Sequence, residues 1–335
     1  MRYPLLVTLS VHVSITGVVS SFGVRRTTAR HSPTALTAHD VNDDVSIWAG
    51  DDANSFASPS HPGYSIASNP DTCTGGWLAH RAIYEPEEAG TVKSCWIQEE
   101  VRGHVSHMEY VNMPLGRSPR ILVLYGSLRD TSFSCKLGFE FARLLEVLGC
   151  DVRVFNPHGL PVRDPVLEKH IKVQELRALT QWSDGHVWVS PEMHGTITGV
   201  FKNQVDWIPL NTGSVRPTQG KTCLVAQVNG GSQSFNAVNS LRILALWMRM
   251  PCCTNQSSVA KAWQEFDDHG RMKASDFRDR IVDCAEEFAK FTAIMVPAAD
   301  DLNDRYSERK EREKEGKLLT QAEKEATKIA ETNKS

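Results

Sequence analysis

The run Arg120-Ile-Leu-Val-Leu-Tyr-Gly-Ser-Leu-Arg-Asp-Thr-Ser-Phe-Ser134 constrains the fold more than any other part of the chain. The apolar residues Ile121 to Leu124 have no polar alternation, which is the pattern of a strand buried on both faces. Gly126 breaks that run. A helical pattern then begins, with Leu137, Phe141, Leu144, Leu145 and Leu148 on one face. A strand feeding a helix through a short turn is the first half of a parallel βαβ unit.

The same alternation continues for about 170 residues. Asp151 to Asn156 reads as a second strand, ended by Pro157-His-Gly, and Val173 to Trp182 as an amphipathic helix. Gly185 to Ser190 is a third strand closed by Pro191, followed by a helix from Val200 to Ile208 that Pro209 stops. Lys221 to Val228 is a fourth strand. Residues 234–249 form a helix with Phe235, Val238, Leu241, Leu244 and Met248 at helical spacing. A fifth strand is expected near Met250 to Thr254. The last long helix carries Phe277, Ile281, Cys284, Phe288, Phe291 and Met295. These elements predict an α/β fold: a flavodoxin-like, five-stranded parallel sheet in the order 2-1-3-4-5, with helices on both faces.

Composition narrows the class. Of 335 residues, 41% are hydrophobic and 23% charged, and the net charge of −3 offers no basic footprint for nucleic acid. The eight cysteines at 73, 95, 135, 150, 223, 252, 253 and 284 contain no Cys-x-x-Cys, so neither a disulfide framework nor a zinc ribbon is expected. Cys73, Cys95, His104 and His107 match no standard zinc spacing. No segment has the ~18 consecutive apolar residues of a membrane span. Residues 1–39 lack Asp and Glu, and Val19-Ser20-Ser21 and Phe22 resemble the cleavage region and start of a two-part plastid presequence. The alternative is an unstructured leader on a cytoplasmic protein. Residues 40–117 read as a poorly structured extension, 118–298 as the flavodoxin-like domain and 299–335 as a charged tail, solvated as a helix or an arm.

Ligands of such sheets bind beyond the carboxyl ends of the strands, at the point where strand order reverses. Three loops lie there. After strand one, Ser127, Arg129, Ser132 and Ser134 combine hydroxyls and a guanidinium with the free N–H groups of a helix start. This turn lacks the glycine spacing of a dinucleotide fingerprint and the Gly-Lys-Ser/Thr of a P-loop, and suits one phosphate monoester such as that of FMN. After strand three, Pro191 and Gly195 shape a loop on which Glu192 and His194 supply polar edges for a flavin ring. After strand four, Gly230 and Gly231 let backbone approach a planar ligand, with Ser232 following.

Segments Val123–Ser134, Lys172–Arg177, Trp182–Thr198, Lys202–Pro209, Thr212–Thr222, Gln227–Met250, Asn255–Lys261 and Asp304–Arg309 resemble the ArsH family of arsenical-resistance flavoproteins, within the NADPH-dependent FMN reductases. The stretches Gly-Ser-Val-Arg-Pro-Thr-Gln-Gly220 and Gly230-Gly-Ser-Gln-Ser-Phe-Asn-Ala-Val-Asn239 carry the likeness most specifically. It implies an FMN oxidoreductase that takes hydride from NADPH and is a homotetramer. It also implies trivalent organoarsenicals, dioxygen and quinones as its reaction partners. On this chain it would place Ser127, Arg129, Ser132 and Ser134 on the phosphate. Pro191, Glu192, His194, Gly195, Gly230, Gly231 and Ser232 would frame the ring. Two departures stand out. Met193 replaces a polar or basic residue, and Pro251-Cys252-Cys253-Thr254 replaces an apolar stretch. The adjacent thiols read either as soft ligands for trivalent arsenic or as two small core residues.

The resemblance requires no protein acid–base residue, because the cofactor carries the hydride chemistry. Three other readings fit the same residues: a general quinone or azo reductase with no link to arsenic, a flavodoxin-type electron carrier without NADPH turnover, and a flavin-loaded redox sensor or scaffold working through the N-terminal region.

Overall fold

The computed structural model describes residues 96–101, 116–209 and 217–332. Five strands, β1 (Arg120–Tyr125), β2 (Asp151–Phe155), β3 (Gly185–Pro191), β4 (Thr222–Val228) and β5 (Ser257–Val259), form one sheet in the order β2-β1-β3-β4-β5. Every pairing is parallel, with Ile121 opposite Gly185 and Gly185 opposite Thr222. The expected topology is therefore present, and strand order reverses between β1 and β3.

The helices α1 (Phe133–Val147), α2 (Ile171–Trp182), α3 (Gly199–Trp207), α4 (Asn236–Trp247), α5 (Ala262–Glu265) and α6 (Asp276–Met295) connect and cover the sheet. Side chains alternate across each strand, so β1 feeds two cores. Ile121, Val123 and Tyr125 pack with Leu137, Phe141 and Phe288 on one face. Leu122 and Leu124 pack with Leu176, Trp188, Phe201 and Trp207 on the other. Burial on both faces is why these strands read as unbroken apolar runs.

The fifth strand is displaced from its expected position. Cys252 makes only a single parallel bridge to Cys223, and the paired strand begins at Ser257. Glu287 of α6 is the cause. Its carboxylate accepts from Thr254 N (3.0 Å), Thr254 Oγ1 (2.6 Å), Asn255 N (3.1 Å) and the Asn255 side chain, so those residues face α6 instead of β4.

The stretch expected to lack structure also contains an ordered element. Ile97–Val101 is a helical turn whose Ile97 and Val101 are buried in the α1–α6 core. Arg278 of α6 stacks 4.6 Å over the Trp96 ring and pairs with Glu100. Residues 1–39, where a presequence is one expectation, and Cys73, Cys95, His104 and His107 lie outside the described residues. The charged tail forms three further helices, α7 (Ala299–Asn303), α8 (Tyr306–Glu315) and α9 (Gln321–Thr332). No helix among the described residues is long and apolar enough to cross a membrane.

Candidate cofactor site

The carboxyl ends of β1, β3 and β4 open onto one cavity of about 570 Å³. β1 ends where Gly126 N–H donates to Val189 O (2.9 Å). A Cβ at Gly126 would stand 2.7 Å from Thr198 Oγ1 and 2.9 Å from Phe201 Cβ, so only glycine lets β1 pass the start of α3. The turn then folds on itself. Arg129 N–H donates to Ser127 Oγ (3.2 Å), and Ser132 N–H to Arg129 O (3.1 Å). Ser132 caps α1 by accepting from Cys135 N (3.1 Å), and its hydroxyl lies 3.0 Å from that of Ser134. Two buried hydroxyls thus share the helix start, where the helix dipole favours an anion. The Arg129 side chain is exposed beside them.

The second wall comes from the β3–α3 loop. Thr198 caps α3, accepting from Phe201 N (3.2 Å) and donating to Gly126 O (2.7 Å). That bond ties the β1 and β3 loops together. Within the loop, Met193 and Thr196 exchange backbone bonds (2.9 and 3.2 Å) around His194 and Gly195, whose φ angles are +51° and +75°. Positive φ at both central residues is the type I′ turn, tolerated by Gly at the second position and costly for a His at the first. Glu192 is held from below. Gln227 Nε2 donates to Glu192 Oε2 (2.8 Å), while Gln227 Oε1 accepts from Val238 N in the first turn of α4 (2.9 Å).

The third wall is the β4 loop. Asn229 N–H donates to Val259 O (3.0 Å) and its side-chain amide donates to Ser232 O. Lys261 N–H donates to Gly231 O (3.1 Å). A Cβ at Gly230 or Gly231 would meet nothing within 4 Å, so this backbone faces open space.

Seven of the eleven residues read from the sequence line the cavity together: Ser127, Arg129, Ser132, Ser134, Pro191, Glu192 and Gly230. His194 and Gly195 form the tip of the turn, and Gly231 and Ser232 shape the loop through their carbonyls. None of these four lines the cavity. Sequence reasoning missed Thr198, Gln227, Asn229 and Trp263. Trp263 lines the cavity while remaining 59% exposed, an aromatic surface at its mouth. The Ser127–Ser132 turn also walls a second cavity of about 380 Å³, lined by Lys136, Arg143, His158 and His269. Burial pushes the Cys135 thiol there up to about 11, so it is no nucleophile at neutral pH.

The residues present suit a flavin mononucleotide. Hydroxyls, a helix N-terminus and an arginine match a phosphate monoester. The Oδ1 of Asn229, buried at the cavity wall without a protein partner, offers an acceptor to a ring N–H. Among the described residues no group of three or more His, Cys, Asp or Glu side chains gathers as a metal site.

Fold and site define a doubly wound α/β protein with a three-loop cavity at its switch point. Residues 119–264 match the family model described as NADPH-dependent FMN reductase. Over 193 residues the chain is 62% identical to the NADPH-dependent FMN reductase ArsH of Rhizobium meliloti, which covers 58% of this chain and 80% of that protein. It is 60% identical to the ArsH of Acidithiobacillus ferrooxidans (58% and 81% covered) and 57% identical to that of Shigella flexneri (57% and 75% covered). The chain belongs to the NADPH-dependent FMN reductase family, and within it to the ArsH proteins.

Proposed function

We propose that this chain is an NADPH-dependent FMN oxidoreductase of the ArsH type, with the cofactor in the three-loop cavity. The observation that carries this reading is the convergence of the hydroxyl-and-arginine turn, the Glu192 loop and the Gly230 loop on one space. FMN, when bound, supplies a ring that accepts hydride from NADPH and passes electrons to an acceptor. The protein binds and orients. Ser127, Arg129, Ser132 and Ser134 hold the phosphate. Pro191, Glu192 and Gly230 bound the ring, and Asn229 Oδ1 accepts from its edge. His194, Gly195, Gly231 and Ser232 fix the two loops that carry those contacts. Exposed Met193 and Trp263 offer soft, flat surface at the mouth for the nicotinamide or for an apolar acceptor.

The acceptors we assign follow the ArsH likeness: dioxygen, reduced to hydrogen peroxide, and quinones, with trivalent organoarsenicals oxidised to the pentavalent state. We also assign a homo-oligomer, consistent with a tetramer. Ile243, Leu246 and Trp247 are 58%, 73% and 72% exposed on one stripe of α4, an apolar patch that self-association would cover. The test is an absorbance spectrum of the full chain loaded with FMN under nitrogen, before and after NADPH. Visible flavin bands that bleach with NADPH and return in air are expected. A protein that retains no FMN at micromolar concentration overturns the site. One that retains FMN but does not bleach is an electron carrier instead.

A further inference from the structure

Four of the eight cysteines gather at the β4 edge, and the fold sorts them differently from their sequence order. Cys223 is the second residue of β4. Its N–H donates to Pro251 O (2.9 Å) and its carbonyl accepts from Cys253 N (2.8 Å). These two bonds flank residue 252, so Cys252 stands directly opposite Cys223 with its side chain on the same sheet face. Cys253, one residue on, faces the other way. Packing agrees: Cys223 and Cys252 lie in the core cluster of Met248 and Met250, whereas Cys253 lies in the other cluster with Cys284 and Phe288 of α6. The adjacent cysteines are therefore not a pair. The dithiol runs across the ladder.

The two faces differ chemically. Cys253 Sγ donates to Glu287 Oε1 (3.0 Å), and burial and that carboxylate push its thiol strongly up. Burial takes Cys284 up to about 12. Cys252 is only half-buried. Contact with the Cys223 thiol and the nearby Arg242 together pull Cys252 below the ordinary thiol range against the opposing effect of burial.

We propose that Cys252 and Cys223 form a modification site that takes a hydroperoxide and closes into a disulfide. The Cys252 thiolate attacks one peroxide oxygen, the O–O bond breaks, and the departing hydroxide takes a proton to leave as water. Cys252 is then a sulfenic acid. The Cys223 sulfur, on the residue directly opposite in the ladder, attacks the sulfenic sulfur. The S–O bond breaks and a second water leaves with the Cys223 proton. Two thiols have lost two electrons and two protons, and one hydrogen peroxide has become two waters. Directly opposed parallel neighbours lie about 4.8 Å apart, within the roughly 4.4–6.8 Å Cα span a disulfide accepts. The proposal does not depend on the flavin reading.

The test is peptide mapping of the full chain after hydrogen peroxide treatment and alkylation of remaining thiols. Trypsin separates residues 222–242, which hold Cys223, from 250–261, which hold Cys252 and Cys253. Expected is a cross-link between these peptides two hydrogens lighter than their sum, with two of the eight thiols lost to alkylation. The link persists in Cys253→Ser and disappears in Cys252→Ser. Loss of the link in Cys253→Ser, its survival in Cys252→Ser, or a stable sulfenic acid at Cys252 beside a free Cys223 overturns the proposal. The wild-type and Cys253→Ser maps decide the matter even if a Cys223 or Cys252 variant fails to fold.

Discussion

Gln227 is the support on which the Glu192 loop rests, and replacing it tests the site's construction. It is fully buried. Its amide makes two bonds in opposite directions, to the Glu192 carboxylate (2.8 Å) and from the Val238 N–H (2.9 Å). In Gln227→Leu the carboxylate loses a charge-assisted bond, about 1.5–3 kcal/mol, and a buried N–H loses its acceptor, about 1–3 kcal/mol. The combined cost is about 2.5–6 kcal/mol, against a total stability of about 5–15 kcal/mol for a domain. Gln227→Glu separates the two terms. It keeps the acceptor for Val238 and replaces the donor with a second carboxylate facing Glu192. Such a pair holds one shared proton at low pH and repels when both ionise. The folded variant then binds more protons than the unfolded chain above the ordinary glutamate value of about 4.3. Its stability relative to wild type falls as pH rises through the raised pKa and recovers as pH drops towards about 5. The assay is urea unfolding at several pH values, with FMN retention measured alongside. A Gln227→Leu midpoint equal to wild type, or a Gln227→Glu deficit independent of pH, refutes the reasoning.

Arg129→Ala removes the one guanidinium at the hydroxyl turn; a charged hydrogen bond of about 1.5–3 kcal/mol corresponds to roughly 10- to 100-fold weaker FMN binding by fluorescence titration. Unchanged affinity sinks the phosphate assignment. His186 is held neutral, its pKa lowered to about 3 by burial and by the nearby Lys221. Trp188 Nε1 donates to its Nδ1 (3.2 Å), so its Nε2 donates to Ser183 Oγ (3.0 Å). Between about pH 6.5 and 3 the unfolded chain takes up a proton that the fold refuses, so stability falls with falling pH by about 1.4 kcal/mol per unit. His186→Gln should flatten that slope in urea midpoints, and an identical slope in both proteins counts against it. The double variant Leu246→Glu with Trp247→Glu places two charges on the exposed α4 stripe and should lower the sedimentation mass. An unchanged mass shows that this stripe is not the contact.

What the sequence revealed and what it hid divide along one physical line. The sheet order was legible because β1, β3 and β4 are buried on both faces and so carry unbroken apolar runs, punctuated by glycine and proline. The hydroxyl-and-arginine turn was legible because these side chains lie within eight residues of one another, and the cap of α1 is made locally by Ser132. The missed features depend on partners distant in sequence. Pro251 to Thr254 has a strand's composition, yet Glu287, over thirty residues on, captures Thr254 and Asn255 and delays β5 to Ser257. Gln227 sits inside the run that reads as the fourth strand, with nothing local to mark it. Its meaning lies in Glu192, thirty-five residues earlier, and in the start of a helix eleven residues later. The vicinal cysteines mislead in the same way. Adjacency in a strand puts side chains on opposite faces, so the neighbour that matters to Cys252 is Cys223 across the ladder and not Cys253 beside it. Local patterns therefore specify where the loops lie, while long-range pairings decide which side chains those loops bring into contact.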